Sequence, residues 1–395
     1  MSALSVPLCK IRTFIRPISL RFKRWHYRRM WNYRSYVPGD IEISKRALLA
    51  YLTEPIAVRP DTYRFSNDGI ARLFPRALNE LGYVVDIVEW TDAGFIPSKP
   101  YDLFIAHGGI NFDKIYSRLS KACTVIYFSS GNYWKFNNEQ EDVRLVALAE
   151  RRGVSLPHER YINVSEETAH RKACGVITLG DLSALEPYIA DGITNVKTLR
   201  NAAYPDTGYN SEGKDFDRAR KHFLFFSGSG NVHKGLDLLL EAFAKLPQLH
   251  LHVVTHLQDS FVKVYAEEFT LSNIHSYGTI PMRSERFYHL MDLCGYVIHP
   301  SASDGSAGSV IECMCHGLVP IVSRATRIDV SDFGEVIEPC TIDTIYTLLG
   351  TLSVLPSEEL RQRTQTTQKL TNRDYTPECF LYNLKTCLSG MIEKT

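Results

Sequence analysis

One short segment combines glycines and a lysine in a pattern typical of anion-binding loops. Residues 225–235 read FFSGSGNVHKG, in which a strand-like run leads through Gly228 and Ser229 to Lys234 and a helical pattern. The motif G-x-G-x-x-G fails at His233, and a P-loop would need Ser or Thr after the lysine. Free N–H groups at a helix start still attract anions. We therefore expect a negatively charged ligand; the alternative is an ordinary tight turn between strand and helix.

A second segment places two carboxylates around a loop of small residues. Residues 296–323 read YVIHPSASDGSAGSVIECMCHGLVPIVS, with Asp304 after a strand-like run and Glu312 in a helical pattern. The small residues between them offer capping groups and unpaired N–H donors; they include Gly305, Ser306, Gly308 and Ser309. We expect both carboxylates to face one cleft and to accept hydrogen bonds from sugar hydroxyls beside a phosphate. The alternative is a turn cap at Asp304 and an ordinary helix residue at Glu312.

Length and composition favour a globular protein of two domains. The chain has 395 residues, 44% apolar and 23% charged, which is typical of soluble proteins and too long for one average core. Its nine cysteines are scattered, which favours a reducing compartment over a disulfide framework. No apolar run reaches the roughly 18 residues of a membrane-spanning helix. We expect a cytoplasmic protein.

Positive charge is concentrated at the beginning of the chain. Residues 1–39 contain nine Lys or Arg and no Asp or Glu, interleaved with aromatic and aliphatic residues. Such a segment can bind the anionic surface of a membrane, here its cytoplasmic face. The alternatives are nucleic-acid binding, a transit peptide, or packing on its own domain. A nucleic-acid partner is not expected, because it would explain nothing in the second half of the chain.

Short apolar runs alternate with helical patterns, which indicates parallel sheets covered by helices. The predicted fold class is α/β, with two Rossmann-like doubly wound domains that face each other across a ligand-binding cleft. We expect an N-terminal domain at 40–205, a C-terminal domain at 206–375 and, at 376–395, a C-terminal helix packed on the first domain. Residues 139–152 resemble a polar surface helix, and residues 207–221 resemble a linker.

Twelve segments are strand candidates, six in each domain. Those of the first domain are residues 47–52, 83–90, 101–108, 124–130, 175–180 and 198–203, and those of the second are 222–228, 249–256, 273–280, 296–301, 318–323 and 335–338.

The two glycine-containing segments resemble, in order and separation, a known family: the retaining glycosyltransferases of GT-B fold called glycosyltransferase group 1 or family four. Its signature is a carboxylate, seven residues, a Glu, a small-residue helix and a strand with Gly and Pro. This chain has Asp304, Glu312 and then Gly317-Leu-Val-Pro320. The family also opens its second domain with a strand, a Gly loop and Lys-Gly, as in FFSGSGNVHKG. The resemblance covers residues 206–375 well and the first domain only in outline.

The resemblance implies a role for each residue of these segments. Lys234 would pair with the donor diphosphate, Glu312 would hold the ribose hydroxyls, and Asp304 would meet hydroxyls of the transferred sugar. N–H groups around Gly308 and Ser309 would meet phosphate. The remaining residues expected to line the donor site are Gly228, Ser229, Gly305 and Ser306.

The reaction implied by the resemblance is transfer of a sugar, of hexosyltransferase type, with retention at the anomeric carbon. The donor is a nucleotide sugar, and the acceptor is a sugar, a lipid-linked sugar or another hydroxyl compound. We expect no metal ion and no other cofactor. The basic segment 1–39 suggests a role in cell-surface polysaccharide or glycolipid assembly.

Two features of the first domain are candidates for the acceptor side. His107 ends the run YDLFIAHGG, where the family often has a histidine that faces the reacting sugar; a structural histidine at a strand end is the alternative. Residues 131–139, GNYWKFNNE, are rich in aromatic and amide groups, which suits either sugar binding or a packed loop.

The chain departs from the family pattern at the phosphate site. Ser229 stands where the family usually has an Arg, five residues before the lysine, and Arg327 is one candidate for a replacement cation. The first signature carboxylate, Asp304, is an Asp in place of the usual Glu. These departures leave two alternatives open: a catalytically inactive sugar-nucleotide-binding or scaffold protein, and a sugar-nucleotide epimerase of the same fold.

Two patterns imitate metal sites. Asp215-Phe216-Asp217 matches a D-x-D motif but lies in a charged segment rather than after a buried strand. Cys313, Cys315 and His316 are zinc-ligand residue types without a partner cysteine pair. We therefore expect neither to bind a metal.

Overall fold

The computed structural model describes residues 33–36, 45–57, 66–204, 206 and 208–393. Within the basic segment 1–39, only the four residues 33–36 are described, so its predicted membrane contact lies outside the described residues. No helix in the described part of the chain is long and apolar enough to cross a bilayer.

The first domain is built on a seven-stranded sheet with the order β1-β3-β2-β4-β5-β6-β7. Its strands are β1 Tyr33–Tyr36, β2 Lys45–Tyr51, β3 Tyr83–Glu89, β4 Leu103–Ala106, β5 Thr124–Ser129, β6 Gly175–Leu179 and β7 Val196–Leu199. The edge strand β1 pairs antiparallel with β3, and the other pairs are parallel. The last five residues of β2 are all buried, as expected for a strand covered on both faces.

The helices of the first domain lie between these strands and in the connections that follow them. They are α1 Glu54–Ala57, α2 Ser66–Glu80, α3 Phe112–Tyr116, α4 Trp134–Arg152, α5 Glu167–Lys172 and α6 Glu186–Ala190.

The second domain is built on a six-stranded parallel sheet with the order β10-β9-β8-β11-β12-β13. Its strands are β8 His222–Phe226, β9 His250–Val254, β10 Ile274–Gly278, β11 Tyr296–His299, β12 Val319–Ser323 and β13 Glu335–Ile337. The helices are α7 Phe216–Ala219, α8 Leu236–Ala244, α9 Asp259–Val264, α10 Glu285–Leu293, α11 Gly308–Cys315 and α12 Ile342–Ser353. The order reverses at β8 and β11, which makes their carboxyl ends the switch point where α/β sheets bind ligands.

Two long helices complete the chain, α13 Ser357–Asp374 and α14 Pro377–Ile392. Helix α14 packs against α2, and its residues Phe380, Leu384 and Leu388 share a buried core with Ile70 and Phe74. The end of the chain is thereby joined to the first sheet through apolar contact.

The predicted fold class is confirmed: both sheets are doubly wound and α/β. Every predicted strand overlaps an observed strand, although β7 ends at Leu199 and not at residue 203. The sequence pattern did not indicate β1.

The prediction of a surface helix at residues 139–152 holds for one face only: Val143 and Val146 are more than half exposed, but the opposite face is packed. In α4, Leu148 is fully buried in the core of the second domain, and Arg151 forms an ion pair with Asp237 at 2.6 Å. Earlier in the helix, Glu141 is 1% exposed. Because much of its buried face is polar and meets backbone groups, this helix lacks the apolar stripe that marks a buried helix in a sequence.

The prediction of a linker at residues 207–221 was also wrong for its second half. Lys214 is buried and donates a hydrogen bond to the Met291 carbonyl oxygen at 2.8 Å. Phe216 lies in the core of the second domain. The turn-forming residues of this segment therefore belong to the packed beginning of the second domain.

Candidate functional site

The candidate site lies where loops from the two sheets meet. Gly305, in the loop after β11, packs on the loop after β5: a Cβ at Gly305 would lie 2.7 Å from the Gly131 Cα and from the Ser130 carbonyl oxygen. Both loops leave the carboxyl ends of their strands. This close approach places the two candidate halves of the site side by side, and only a glycine fits between them.

Lys234 is held by the loop that joins β8 to α8. This loop turns at Gly230 and Gly235, whose φ angles are +96° and +79°. A Cβ at Gly235 would lie 2.3 Å from the Pro300 carbonyl oxygen, so the glycine allows the loop to approach β11 closely. The Lys234 side chain is 8% exposed, and its Nζ lies 2.7 Å from Asp304 Oδ2.

Asp304 is the acidic partner in a buried polar cluster. Its Oδ2 accepts from Lys234 Nζ and from His299 Nε2 at 3.1 Å. Burial alone would raise the pKa of Asp304, but Lys234 and His299 hold it well below its usual range. Burial lowers the pKa of Lys234 while Asp304 raises it. With the two atoms 2.7 Å apart, we take the pair as charged.

Glu312 lies in α11 and is paired separately from Asp304. Its side chain is fully buried, and Oε1 lies 3.3 Å from Arg283 Nη2. Its Oε2 has no hydrogen-bond partner among the described residues. Burial raises the pKa of Glu312 to about 7, although Arg283 opposes the shift. The structure therefore joins Lys234 to Asp304 and leaves Glu312 with an unused acceptor.

The start of α11 is not capped by a side chain, contrary to the prediction. Its N-cap is Ala307, which has no side-chain acceptor, and Gly308 and Ser309 form the first turn. Ser306 adopts a left-handed φ of +54°, and its carbonyl oxygen accepts from Asn201 Nδ2 at 2.8 Å. The first-turn N–H groups thus meet no capping side chain, which suits an anion.

Gly228 and Ser229 lie at the outer side of the loop after β8. A Cβ at Gly228 would meet no atom within 4 Å, and its carbonyl oxygen accepts from His256 N at 3.0 Å. Gly228 is exposed and Ser229 half-buried. This part of the loop has room for a ligand or a larger side chain.

His107 lines a cavity of about 400 Å³ in the first domain. Its Nδ1 lies 2.8 Å from the Phe128 carbonyl oxygen, which can only accept, so Nδ1 carries the proton and Nε2 is left as an acceptor. Burial lowers the pKa of His107 to about 4. A neutral imidazole of this tautomer can orient a hydroxyl group but is a poor acid.

The segment 131–139 is largely packed, as in the second of its two interpretations. The side-chain amides of Asn137 and Asn138 donate to the carbonyl oxygens of Arg160 and Ile162 at 2.9 and 3.0 Å. Gly131, Asn132 and Asn137 nevertheless also line the His107 cavity.

Arg327 is engaged away from Lys234. Its Nη1 donates to the carbonyl and hydroxyl oxygens of Ser183 at 2.8 and 2.9 Å, and its guanidinium lies over the Phe136 ring. It therefore joins the two domains and does not replace the cation missing at Ser229.

Three residues around this cleft were missed in the sequence: Glu141, Arg160 and Glu166. Glu141 Oε1 accepts from the backbone N–H groups of Glu159 and Arg160, both at 2.7 Å. Burial raises the pKa of Glu166 to about 7. These residues lie in a polar helix and a loop, where no spacing distinguishes them from solvated side chains.

The two patterns that imitate metal sites have structural roles. Asp215 caps α7 by accepting from Arg218 N, and Asp217 Oδ1 lies 2.5 Å from the Ser357 hydroxyl. Cys313 and Cys315 are buried in the core of the second domain.

A family model matches part of the chain. Residues 212–330 match the family model described as glycosyl transferases group 1. No curated protein sequence is significantly similar to the chain.

Several solved structures share the fold at low sequence identity. Sucrose-phosphate synthase from Thermosynechococcus elongatus is 13% identical, with a TM-score of 0.61, and the match covers 88% of this chain and 99% of that one. Alr3699/HepE from Anabaena, in complex with UDP, is 14% identical, with a TM-score of 0.59 and coverage of 88% and 100%. TarM from S. aureus, a point mutant solved in complex with Fondaparinux, alpha-GlcNAc-glycerol and UDP, is 16% identical, with a TM-score of 0.53.

The match to TarM covers 73% of this chain but only 55% of TarM, so this chain spans about half of that relative. At these identities the similarity shows the fold alone. The chain has the GT-B fold of two facing Rossmann-like domains, and its residues 212–330 match the glycosyl transferases group 1 family.

Proposed function

We propose that this protein is a glycosyltransferase that moves a sugar from a nucleotide-sugar donor to a hydroxyl acceptor. The observation that carries the proposal is the buried Lys234–Asp304 pair at the switch point of the second sheet, beside the uncapped start of α11. Within the family match, this arrangement combines a cation and free N–H groups for phosphate with a carboxylate for sugar hydroxyls.

Each group of the donor site has a proposed role. Lys234 and the N–H groups of Gly308 and Ser309 bind the diphosphate. The unused Oε2 of Glu312 accepts from the ribose hydroxyls, and Asp304 contacts the transferred sugar. When the anomeric bond breaks, negative charge grows on the diphosphate, and a fixed cation stabilises it more in the transition state than in the ground state.

The acceptor is proposed to bind in the cavity around His107, on the first-domain side of the cleft. His107 Nε2 would accept a hydrogen bond from a sugar hydroxyl. We further propose retention at the anomeric carbon, with the leaving phosphate taking the acceptor's proton, as the resemblance implies. Neither step requires a metal ion.

UDP-sugars are the first donors to test. HepE was solved with UDP and glucose, and the pneumococcal O-GlcNAc transferase GtfA with UDP and GlcNAc. Acceptors could be sugars, lipid-linked sugars or other hydroxyl compounds. A role in cell-surface polysaccharide or glycolipid assembly, with residues 1–39 on the cytoplasmic face of a membrane, is the extension of this proposal that the basic segment supports.

The direct experiment is a thermal-shift screen over UDP-, GDP-, ADP- and TDP-sugars, followed by donor turnover with the stabilising compound. Lys234→Ala should lower kcat by roughly 100-fold or more, as expected for removal of a transition-state charge contact. Lys263→Ala, an exposed lysine of α9, is the matched control and should leave turnover unchanged.

Other outcomes would replace the proposal. Stabilisation by a donor without turnover in wild type would support a binding or scaffold protein. A changed sugar nucleotide, formed from the donor alone, would support an epimerase. Full activity of Lys234→Ala would contradict the role of the buried pair.

A further inference from the structure

We propose that Arg160 of the first domain supplies the second cation of the diphosphate site by reaching across the cleft to the loop after β8. This inference rests on the proposed function and assigns a diphosphate contact to a residue outside the matched segment 212–330.

The charge around Lys234 is already balanced before a ligand binds. Asp304 lies 2.7 Å from Lys234 Nζ. Burial lowers the pKa values of His233 and His299, so both rings are neutral near pH 7. A diphosphate therefore meets a cluster without net positive charge, and a further cation is needed to match it.

The Arg160 side chain lies directly on the glycine loop. A Cβ at Gly230 would lie 2.8 Å from Arg160 Cγ and 3.1 Å from its Cδ, so the aliphatic stem crosses the loop where a larger residue would block it. Arg160 also lines the cavity of about 400 Å³ that contains His107. The residue thus lies between the donor loop and the proposed acceptor cavity.

The guanidinium of Arg160 is available for a ligand. Its side chain has no hydrogen bond or ion pair among the residues that the structure describes, and it is exposed. Its positive charge helps to lower the pKa of the Lys234 ammonium group. Burial lowers this pKa more strongly, and Asp304 opposes both effects. A planar guanidinium whose donors make no hydrogen bond matches the geometry of phosphate oxygens.

The backbone of Arg160 is fixed by two side chains of α4. Glu141 Oε1 accepts from Arg160 N at 2.7 Å, and Asn137 Nδ2 donates to the Arg160 carbonyl oxygen at 2.9 Å. Glu141 is 1% exposed and Asn137 is 9% exposed. Because these two buried side chains bind both backbone groups of Arg160, they fix the point and direction from which its side chain extends. Such support is what an accurately placed ligand contact needs.

The position also explains how the site works without an arginine at residue 229. A cation from the opposite domain can occupy the space above Gly228 and Ser229, where the loop is open. Because Arg160 belongs to the first domain, the diphosphate would bind two cations only while the domains are closed. Donor binding and closure would therefore support each other.

The test uses Arg160→Gln, which keeps the stem over Gly230 and removes the charge. We expect UDP affinity to fall about tenfold, affinity for uridine to stay unchanged, and kcat for transfer to fall more than KM rises. Arg118→Gln, an exposed first-domain arginine, is the matched control and should resemble wild type in every assay. Arg160→Lys should recover part of the loss.

A rescue variant keeps the test independent of folding. Adding Ser229→Arg to Arg160→Gln returns a cation to the same site from the other domain, and it should restore UDP affinity to within about threefold of wild type. Circular dichroism and unfolding midpoints equal to wild type would show that the loss is local.

The outcomes separate this inference from the proposed function. If wild type turns over the donor and Lys234→Ala abolishes turnover, while Arg160→Gln equals wild type in UDP affinity and kcat, the Arg160 proposal is wrong and the glycosyltransferase proposal stands. An equal loss of affinity for uridine and UDP would also overturn it, because it would place Arg160 at the nucleoside. If wild type binds no nucleotide, both proposals fail.

Discussion

The cleft has two acidic positions eight residues apart, and they are built in opposite ways. At the Asp304 end, the carboxylate is charged and accepts from Lys234 and His299 within a compact cluster. At the Glu312 end, the carboxyl group is fully buried, accepts two longer hydrogen bonds from Arg283 on one oxygen, and keeps the other oxygen unused. The first end is complete without a ligand, whereas at the second end Glu312 Oε2 has no hydrogen-bond partner among the described residues.

The difference indicates which part of the site is prepared in advance. Burial raises the pKa of Glu312 to about 7, whereas Lys234 and His299 keep that of Asp304 low in spite of burial. The Asp304 cluster can therefore hold a fixed charge at any neutral pH. The Glu312 carboxyl group should gain its full set of hydrogen bonds only when donors, such as ribose hydroxyls, enter.

The largest expected effect comes from breaking the Asp304 cluster. Asp304→Ala leaves the Lys234 ammonium buried without its partner and should lower the free energy of unfolding by about 3 kcal/mol. Urea unfolding of the protein, followed by circular dichroism, measures the loss. Asp332→Ala, an exposed residue, is the matched control and should have almost no effect.

The double variant Lys234→Met with Asp304→Leu tests the cause of that loss. Because it removes both charges, most of the stability should return. If Asp304→Ala is as stable as wild type, the Lys234–Asp304 pair does not stabilise this part of the cleft.

A smaller effect on the free energy of unfolding is expected when pH changes the ionisation of Glu312. An acid with a raised folded-state pKa binds its proton more tightly in the folded protein, so its contribution to stability falls as pH rises from about 4.5, the ordinary value, through about 7. Asp304 has the opposite sign: its contribution is present above the ordinary value of 3.8 and is lost as pH falls.

The comparison of wild type with Glu312→Gln between pH 5.5 and 8.5 isolates this contribution. Wild type should lose stability relative to the variant as pH rises, on the order of 1 kcal/mol over the range. Glu159 and Glu166, whose pKa values burial also raises to about 7, affect both proteins equally. Parallel curves for the two proteins would show that Glu312 is already ionised at the lower pH.

The two ends also differ in how far the sequence predicts them. The residues Lys234, Asp304 and Glu312 were identified from small residues, helix starts and spacing, because these features follow from local backbone geometry. Their partners were not. Arg283 lies 29 residues before Glu312 and reaches it only through the fold. His299 is close in the sequence to Asp304, but it lies in β11, where no pattern distinguishes it from an ordinary strand residue.

The same limit of local patterns explains which parts of the fold were predicted from the sequence. Buried parallel strands such as β2, with five consecutive buried residues, give continuous apolar runs and were predicted. Helix α4 has no apolar stripe because its buried positions include Asn137, Asn138 and Glu141, and its second part, 139–152, was therefore taken for a surface helix. These side chains are buried because they bond to backbone groups of residues 159–162, and such contacts become visible only in three dimensions.

The smallest effect is expected at His107, which faces the cleft from the first domain. The experiment distinguishes two roles of this residue, orienting a hydroxyl group and carrying a proton. Because burial lowers its pKa to about 4, His107 stays neutral from pH 5 to 8 and should contribute no limb to the pH profile of kcat/KM in that range. His107→Gln, which can still offer an acceptor, should lower transfer by about fivefold, the value of one neutral hydrogen bond. His289→Gln, an exposed residue of α10, is the matched control. A loss above 100-fold, together with a lost limb of the profile, would make His107 a proton carrier and move part of the chemistry from the donor end to the first domain.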